Sequence, residues 1–386
     1  MITIFTPVYN RAYIIENLYV SLLRQTCYAF EWLIVDDGST DDVISLVERW
    51  RKNTQEFQIR IYRQENRGKH SAINYGVKLA EYEAFFIVDS DDYLEDDAVE
   101  TVLEYWSGIH SDCQFAGISG LRRNKHGKMI GGTPCFREYI DATNLEREKF
   151  GLEGDKAEVL KTEILRRFPF PEYTGETFIT EAVVWDRIAY EGYKIRWINK
   201  SFKICDYLED GLTAMGDRIF MDNPKGWAHY IRTESLYRPL EKGIQLKKCY
   251  YYYECECTMF TNDEIQKLLN LNSADFEAVT NQYHRFKQKL ASICDGKDVC
   301  IYGYGQWGGR IKKYLDDLKI AIKYVIDQKY KEIVDVTSYS IEMDLPGTDL
   351  IFIALNMGAE EVAETVKNKM QETDVILCKD IIPALW

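Results

Sequence analysis

Three carboxylates fall within four positions at Asp89-Ser90-Asp91-Asp92. They follow Ala84-Phe85-Phe86-Ile87-Val88, a run with the length and the aromatic and β-branched content of a buried strand. Like charges this close repel, and clustering them at a strand end costs stability unless a cation or solvent offsets the repulsion. Mg²⁺ or Mn²⁺ would offset it, because such hard cations favour carboxylate and phosphate oxygens together. The pattern suggests a metal-bound diphosphate at the carboxyl end of a sheet, where open α/β folds place ligands. An acidic turn capping the next helix, at about 95–105, accounts for the same residues.

The elements that would carry such a cluster are legible upstream. Ile2-Thr3-Ile4-Phe5-Thr6-Pro7-Val8-Tyr9-Asn10 reads as a strand that stops at a proline and a polar turn. A helix is predicted over 14–25, with Ile15, Leu18, Leu22 and Leu23 on its apolar side. A second strand at 31–35 ends in Asp36-Asp37-Gly38-Ser39-Thr40-Asp41, and a helix follows over 43–50. A third strand at 58–62 enters Asn66-Arg67-Gly68-Lys69-His70 and then a helix through Ala72, Tyr75 and Leu79. Four alternations of strand and helix predict an α/β doubly wound half with a parallel sheet.

The pattern restarts near the other end. A strand at 299–302 enters Gly303-Tyr304-Gly305-Gln306-Trp307-Gly308-Gly309, a helix follows over 310–318, and a strand at 322–326 ends at Asp327. Another strand is predicted at 350–354. Gly303, Gly305 and Gly308 have the GxGxxG spacing, with Asp327 as the acid about twenty residues on, as in a Rossmann βαβ unit. Trp307 is bulky for a pyrophosphate loop, so nucleotide binding and a structural or dimerising role both remain open for this unit. Between them, 216–294 reads as a helical connector rich in tyrosine, lysine and glutamate.

A chain of 386 residues suggests two or three domains. Its net charge of −14 argues against nucleic-acid binding. The ten cysteines follow no repeating frame and read as free thiols of a reducing cytoplasm. No window approaches a membrane-spanning length of apolar residues, and the start reads as a strand, not a signal peptide.

Taken in order, Thr6-Pro7-Val8-Tyr9-Asn10, Val35-Asp36-Asp37-Gly38-Ser39-Thr40-Asp41, Asn66-Arg67-Gly68-Lys69 through Asn74-Tyr75-Gly76, and Asp89-Ser90-Asp91-Asp92 resemble the ordered signature of family 2 glycosyltransferases. The resemblance continues in Gly175-Glu176-Thr177-Phe178-Ile179-Thr180-Glu181-Ala182-Val183-Val184-Trp185 and in Tyr207-Leu208-Glu209-Asp210-Gly211-Leu212-Thr213. It covers residues 1 to about 215. It implies the GT-A nucleotide-diphospho-sugar transferase fold over 1–215, followed by the connector over 216–294 and the Rossmann-like domain over 295–386.

The resemblance also implies roles. Asp91 is the first choice for a Mg²⁺ or Mn²⁺ ligand, by likeness to the family's DxD motif. Asp89 would meet the ribose or assist the metal, and Asp92 is the alternative ligand or a helix-capping acid. Thr6 and Pro7 sit where the family's first strand runs alongside the base. Asp37 would accept a hydrogen bond from uracil N3–H, and Lys69 or Arg67 would meet a base carbonyl or phosphate. Either Asp36 or Asp37 also suits turn formation before Gly38. Glu181 is the candidate general base, with Glu176 as the runner-up or a helix-start acid; Glu181 and Trp185 are read on one helix with Phe178 and Ile188. The family often has an acid pair here, whereas this chain has Thr180-Glu181. His70 and His229 are weaker candidates, for phosphate and metal respectively.

The expectation is an inverting, metal-dependent enzyme using a nucleotide sugar, with UDP foremost. Its acceptor would be a glycan or lipid-linked saccharide in surface polysaccharide synthesis. It would lie in the cytoplasm or at the inner face of a membrane, with peripheral association and homo-oligomers as further expectations. A nucleotide-sugar-binding scaffold without catalysis is the alternative. A sugar nucleotidyltransferase would carry a glycine-rich first loop, which Pro7 to Arg11 lacks. Acceptor loops are expected at 117–150 and after Gly211.

Overall fold

The computed structural model describes residues 1–205, 211, 215–238 and 240–382. The stretch Tyr207-Leu208-Glu209-Asp210, with Leu212 and Thr213, lies outside them. The chain divides into two compact units, Met1–Leu240 and Glu241–Trp386. The 216–294 segment is thus shared between them.

In the first unit, β1 (Ile2–Val8), β2 (Phe30–Asp36), β3 (Gln58–Arg63) and β4 (Ala84–Ile87) alternate with α1 (Glu16–Leu23), α2 (Val43–Asn53) and α3 (Lys69–Leu79). Then come β5 (Asp92–Leu94), α4 (Ala98–Ser107), β6 (Phe115–Arg123), β7 (Met129–Ile130), β8 (Tyr139–Ala142) and a 3-10 turn (Asn144–Phe150). The unit ends with β9 (Ala157–Lys161), α5 (Thr162–Arg167), α6 (Ala182–Tyr190), β10 (Lys194–Cys205), α7 (Arg218–Met221) and α8 (Pro224–Tyr237). The strands form one mixed sheet in the order β3-β2-β1-β4-β9-β6-β10-β5, with β7 beside β6 and β8 beside β10. The first four are parallel, and β9 runs antiparallel to both β4 and β6.

All residues of β1 and β2 are buried, as parallel strands covered on both faces must be. The strand period of two sorts them. Ile2, Ile4, Val8, Trp32 and Ile34 enter one core with Leu18, Val47 and Val102 of α1, α2 and α4. Phe5, Leu33, Val35, Phe85 and Ile87 enter the other with Ile73 of α3, Leu165 of α5 and Val183 of α6.

The expected loop at 117–150 needs correction. Residues 117–123 belong to β6, an inner strand of the sheet. Gly117 and Gly120, which read as loop, are instead points of close approach. A Cβ on Gly117 would lie 2.1 Å from the Val159 carbonyl, and one on Gly120 would lie 2.4 Å from the Phe202 ring.

The second unit opens with α9 (Lys242–Glu256), α10 (Asn262–Leu269) and α11 (Ser273–Cys294). It continues through β11 (Val299–Tyr302), α12 (Gln306–Asp317), β12 (Ile322–Ile326), β13 (Ser338–Tyr339), β14 (Leu350–Ile353), α13 (Ala359–Lys369), β15 (Asp374–Leu377) and α14 (Cys378–Ile381). Its parallel sheet has the order β13-β12-β11-β14-β15, the doubly wound arrangement of a Rossmann-like fold. A buried ion pair ties α9 to α12: Arg310 Nη2 donates to Glu254 Oε2 at 2.6 Å, and Tyr314 Oη donates to the same oxygen at 2.9 Å. Among the described residues, no helix is long and apolar enough to cross a membrane.

Candidate active site

The carboxyl ends of β1, β2 and β4 converge on the loops before α3 and β5. Gly68 fixes the approach. Its φ of +87° lies in the left-handed region, and a Cβ there would fall 1.6 Å from the Thr177 carbonyl. The 177–181 segment can therefore lie against the start of α3, whose first residue is Lys69. Lys69 Nζ reaches Asp89 Oδ1 at 2.6 Å and Glu181 Oε1 at 2.9 Å. One ammonium thus joins the candidate base to the first acid of the cluster. Glu181 sits at the cap position of α6, one residue before the helix, not within it.

The three acids have different surroundings. Asp92 is buried and pairs with the buried Lys203 of β10 at 2.8 Å. Asp89 faces Lys69 and, at 3.9 Å, Lys203. Against the upward push of burial, these two ammonium groups hold Asp89 well below the usual carboxylate range. Among the described residues, Asp91 has no cation at ion-pair distance. Burial, then the charges of Asp89 and Asp92, push its carboxyl up to about 6. Against burial, Asp92 and Asp89 hold Lys203 above its ordinary range.

Asp37 organises the loop before α3. Its Oδ1 accepts from Gln64 Nε2 at 2.7 Å and from the Arg67 amide at 3.0 Å, and its Oδ2 accepts from the Gly68 amide at 2.7 Å. Burial nonetheless raises its pKa. Asp36 forms the turn, accepting from the Ser39 amide at 2.9 Å. An open depression of about 500 Å³ lies beside them, lined by Gly38, Arg63, Gln64, Glu65 and Asn66. Thr6 turns its hydroxyl into the core, where it accepts from Trp32 Nε1 at 3.0 Å. Pro7 is buried beside Val35. Arg67 is exposed and pairs with Glu172 at 3.3 Å.

Glu176 accepts from the amides of Lys225 and Gly226 at 2.9 and 2.8 Å, so its carboxylate caps the start of α8. Trp185 is buried in the core beside Phe170. Tyr173 Oη lies 2.7 Å from His229 Nδ1, and Arg232 lies 3.2 Å from it; burial, then the charges of Arg232 and Arg187, lower this imidazole to about 4. His70 is buried, which lowers its pKa. Three groups of this neighbourhood were not singled out from sequence: Lys203, Glu158 of β9, and Arg122. Arg122 Nε donates to Cys205 Sγ at 2.9 Å, and its Nη1 lies 3.3 Å from Asp155. Their only sequence signal is a charge flanked by apolar strand residues, as in Phe202-Lys203-Ile204.

In the second unit, Gly303 has a φ of +87°, and a Cβ on Gly308 would lie 2.1 Å from the Gly303 carbonyl. Gly305 has open space around its Cα. Asp327 Oδ2 accepts from the Tyr304 amide at 2.7 Å, so the loop already holds a carboxylate of the chain itself.

Residues 3–154 match the family described as Glycosyl transferase family 2. This segment is a family 2 glycosyltransferase domain. Among curated proteins, the chain is 35% identical over 134 residues to a chondroitin synthase of Escherichia coli, covering 34% of this chain and 18% of that protein. It is 28% identical over 153 residues to a poly-β-1,6-N-acetyl-D-glucosamine synthase of Staphylococcus aureus, covering 40% of this chain and 36% of that one. The chain thus spans well under half of the length of these relatives. Among solved structures, S. aureus TarS 1–349 in complex with UDP-GlcNAc aligns with a TM-score of 0.48 and 18% identity, over 76% of this chain and 81% of that one. The glycosyltransferase domain holds the whole Lys69, Asp89 and Asp91 cluster, with Glu181 supplied by the segment that follows it.

Proposed function

We propose that this chain is an inverting, metal-dependent glycosyltransferase. It would move a sugar from a nucleoside diphosphate sugar, uridine foremost, to a hydroxyl of a glycan or lipid-linked acceptor. The setting would be polysaccharide assembly at the cytoplasmic face of a membrane. The similarity to polysaccharide synthases supports that setting. The observation that carries the reading is Lys69, which holds Asp89 and Glu181 together at the carboxyl ends of the sheet.

The depression beside Asp37 suits the base of the nucleotide. The Asp89 carboxylate suits ribose hydroxyls, and the ammonium of Lys69 suits phosphate oxygens. Asp91 fits a divalent cation, since a carboxyl crowded by Asp89 and Asp92, with no ion-pair partner among the described residues, gains from one. Among the described residues, no group of three or more His, Cys, Asp or Glu side chains is arranged to hold a metal. Asp91 with Asp89 would therefore share it with the diphosphate. When bound, the ion would stabilise the charge of the leaving diphosphate.

Glu181 takes the proton of the acceptor hydroxyl as that oxygen attacks the anomeric carbon. The carbon–oxygen bond to the diphosphate breaks, the electron pair leaves with the nucleoside diphosphate, and configuration inverts. Glu176 is engaged by two amides and is left with a capping role. Thermal-shift titration of nucleotide sugars with and without Mn²⁺, followed by product analysis, tests the reading. A donor that raises the melting temperature and is turned over to free UDP is the expected result. Binding without turnover of any donor favours the scaffold.

A further inference from the structure

The mechanism leaves one carboxyl beside Glu181 unassigned. Glu158, the second residue of β9, is half-buried, and among the described residues no hydrogen bond or ion pair engages its side chain. Its strand places it well. β9 lies between β4 and β6, and the Phe86–Val159 pair puts Glu158 one step nearer the strand end that leads into Asp89. On its other side Glu158 stands directly opposite Ser119 of β6. Residues so paired point to one face, with Cβ atoms about 5 Å apart. The Ser119 hydroxyl is buried and, among the described residues, has no hydrogen-bond partner.

Leu160 and Leu121, two residues on from Glu158 and Ser119, lie on the same face and pack in the core that also holds Ile73 of α3, Leu165 of α5, and Val183 and Val184 of α6. The helix that begins after Glu181 thus contributes to the core on the face of this pair. The charged groups around Glu158 are Glu181, Arg147 of the 3-10 turn, Lys203 of β10, and Asp155 before β9. Burial, then Glu181, push the Glu158 carboxyl up to about 7. A carboxyl in its neutral form both donates and accepts, which matches a sugar hydroxyl. The unpartnered Ser119 hydroxyl across the strands is a second polar group on the same face.

We propose that Glu158 holds a hydroxyl of the acceptor sugar beside the one that Glu181 deprotonates, and so selects which hydroxyl receives the transferred sugar. This rests on the glycosyltransferase reading. The test uses the full chain, a UDP-sugar donor with Mn²⁺, and a panel of methyl glycosides with their monodeoxy counterparts. Glu158→Ala should raise KM for an accepted glycoside about 10- to 100-fold, the scale of a lost hydrogen bond to such a group. UDP affinity should stay within about threefold, since the donor is held elsewhere. Glu158→Gln, which keeps both hydrogen-bonding capacities, should restore most of the loss. For one position on the sugar ring, removing the hydroxyl should weaken the wild type by the same factor and leave Glu158→Ala unaffected. An unchanged acceptor KM in Glu158→Ala, equal losses in the Gln and Ala variants, or equal deoxy effects in wild type and Glu158→Ala would overturn the proposal alone. A wild type that neither binds UDP-sugars nor transfers to any glycoside overturns the parent reading as well.

Discussion

At the scale of the residue, Asp91 lowers the stability of the free protein at neutral pH. Its carboxyl protonates at about 6 in the folded state, against an ordinary value of 3.8. Between those two values the folded state binds more protons than the unfolded chain, so stability falls as pH rises through that window. Asp91→Asn lacks the titration. In EDTA, the melting temperature of the wild type should therefore fall relative to Asp91→Asn between about pH 4 and 7. Mn²⁺ should raise the wild type at pH 7 and leave the variant unmoved, and the variant should lose most transfer activity. A wild-type-to-variant difference that stays flat with pH contradicts the argument. Glu181 and Glu176 separate in a second experiment. Glu181→Gln should lower kcat by about 10²-fold or more with UDP affinity little changed. Glu176→Gln should keep kcat within about threefold and lose about 1 kcal/mol of stability, because it weakens the cap of α8. The opposite pattern would assign the base to Glu176.

At the scale of the element, Gly68 is the joint on which Lys69 and Glu181 meet. Gly68→Ala forces a Cβ into the Thr177 carbonyl and a side chain into a left-handed backbone. It should lower the melting temperature and weaken UDP binding together; UDP binding at wild-type strength would show that the 177–181 segment is dispensable for the donor. β1, β2 and β4 were legible because inner parallel strands are nearly continuous apolar runs, and the edge strand β3 because Ile59 and Ile61 alternate with polar residues. β6, β9 and β10 were not. β6 contains Gly117 and Gly120, which signal a loop in isolation, yet their missing side chains are what lets Val159 and Phe202 approach. β9 and β10 carry Glu158, Lys161 and Lys203, which read as solvated charge. The sheet buries Lys203 against Asp92, through a pairing of β10 with β5 that joins residues more than a hundred positions apart. The acids at 89–92 were therefore visible in the sequence, while the cations that divide their roles were not. Asp37 shows the converse, since its type and place were legible but its amide partners at 67 and 68 depend on how the loop folds back.

At the scale of the whole molecule, the boundary at Leu240 makes a prediction about truncation. A chain ending there retains the sheet and both cores of the first unit and should bind UDP as the full chain does, measured by titration. A chain ending at Asp295 keeps α9 and α11 but removes α12, uncovering Tyr250, Tyr283 and Phe286, which pack on Tyr314. An apolar face exposed in this way promotes association, so that chain should aggregate in light scattering. A monodisperse, folded product from the longer truncation would show that α9 to α11 stand without the second sheet. The same topology has a kinetic side. β1 pairs with β2 and β4, yet the far edge of β4 stays open until β9 has left the ribosome, and β10 ends only at Cys205. Pairing over such separations is slow, and an open apolar edge invites association with other chains. Synthesis runs at about 5–20 residues per second, so the residues after Leu240 take on the order of 10 s to appear. Slow codons placed beyond Leu240 should lengthen the time the first sheet has to close and leave its yield intact. The same codons placed between β4 and β9 should prolong exposure of that edge and shift nascent chains into aggregates.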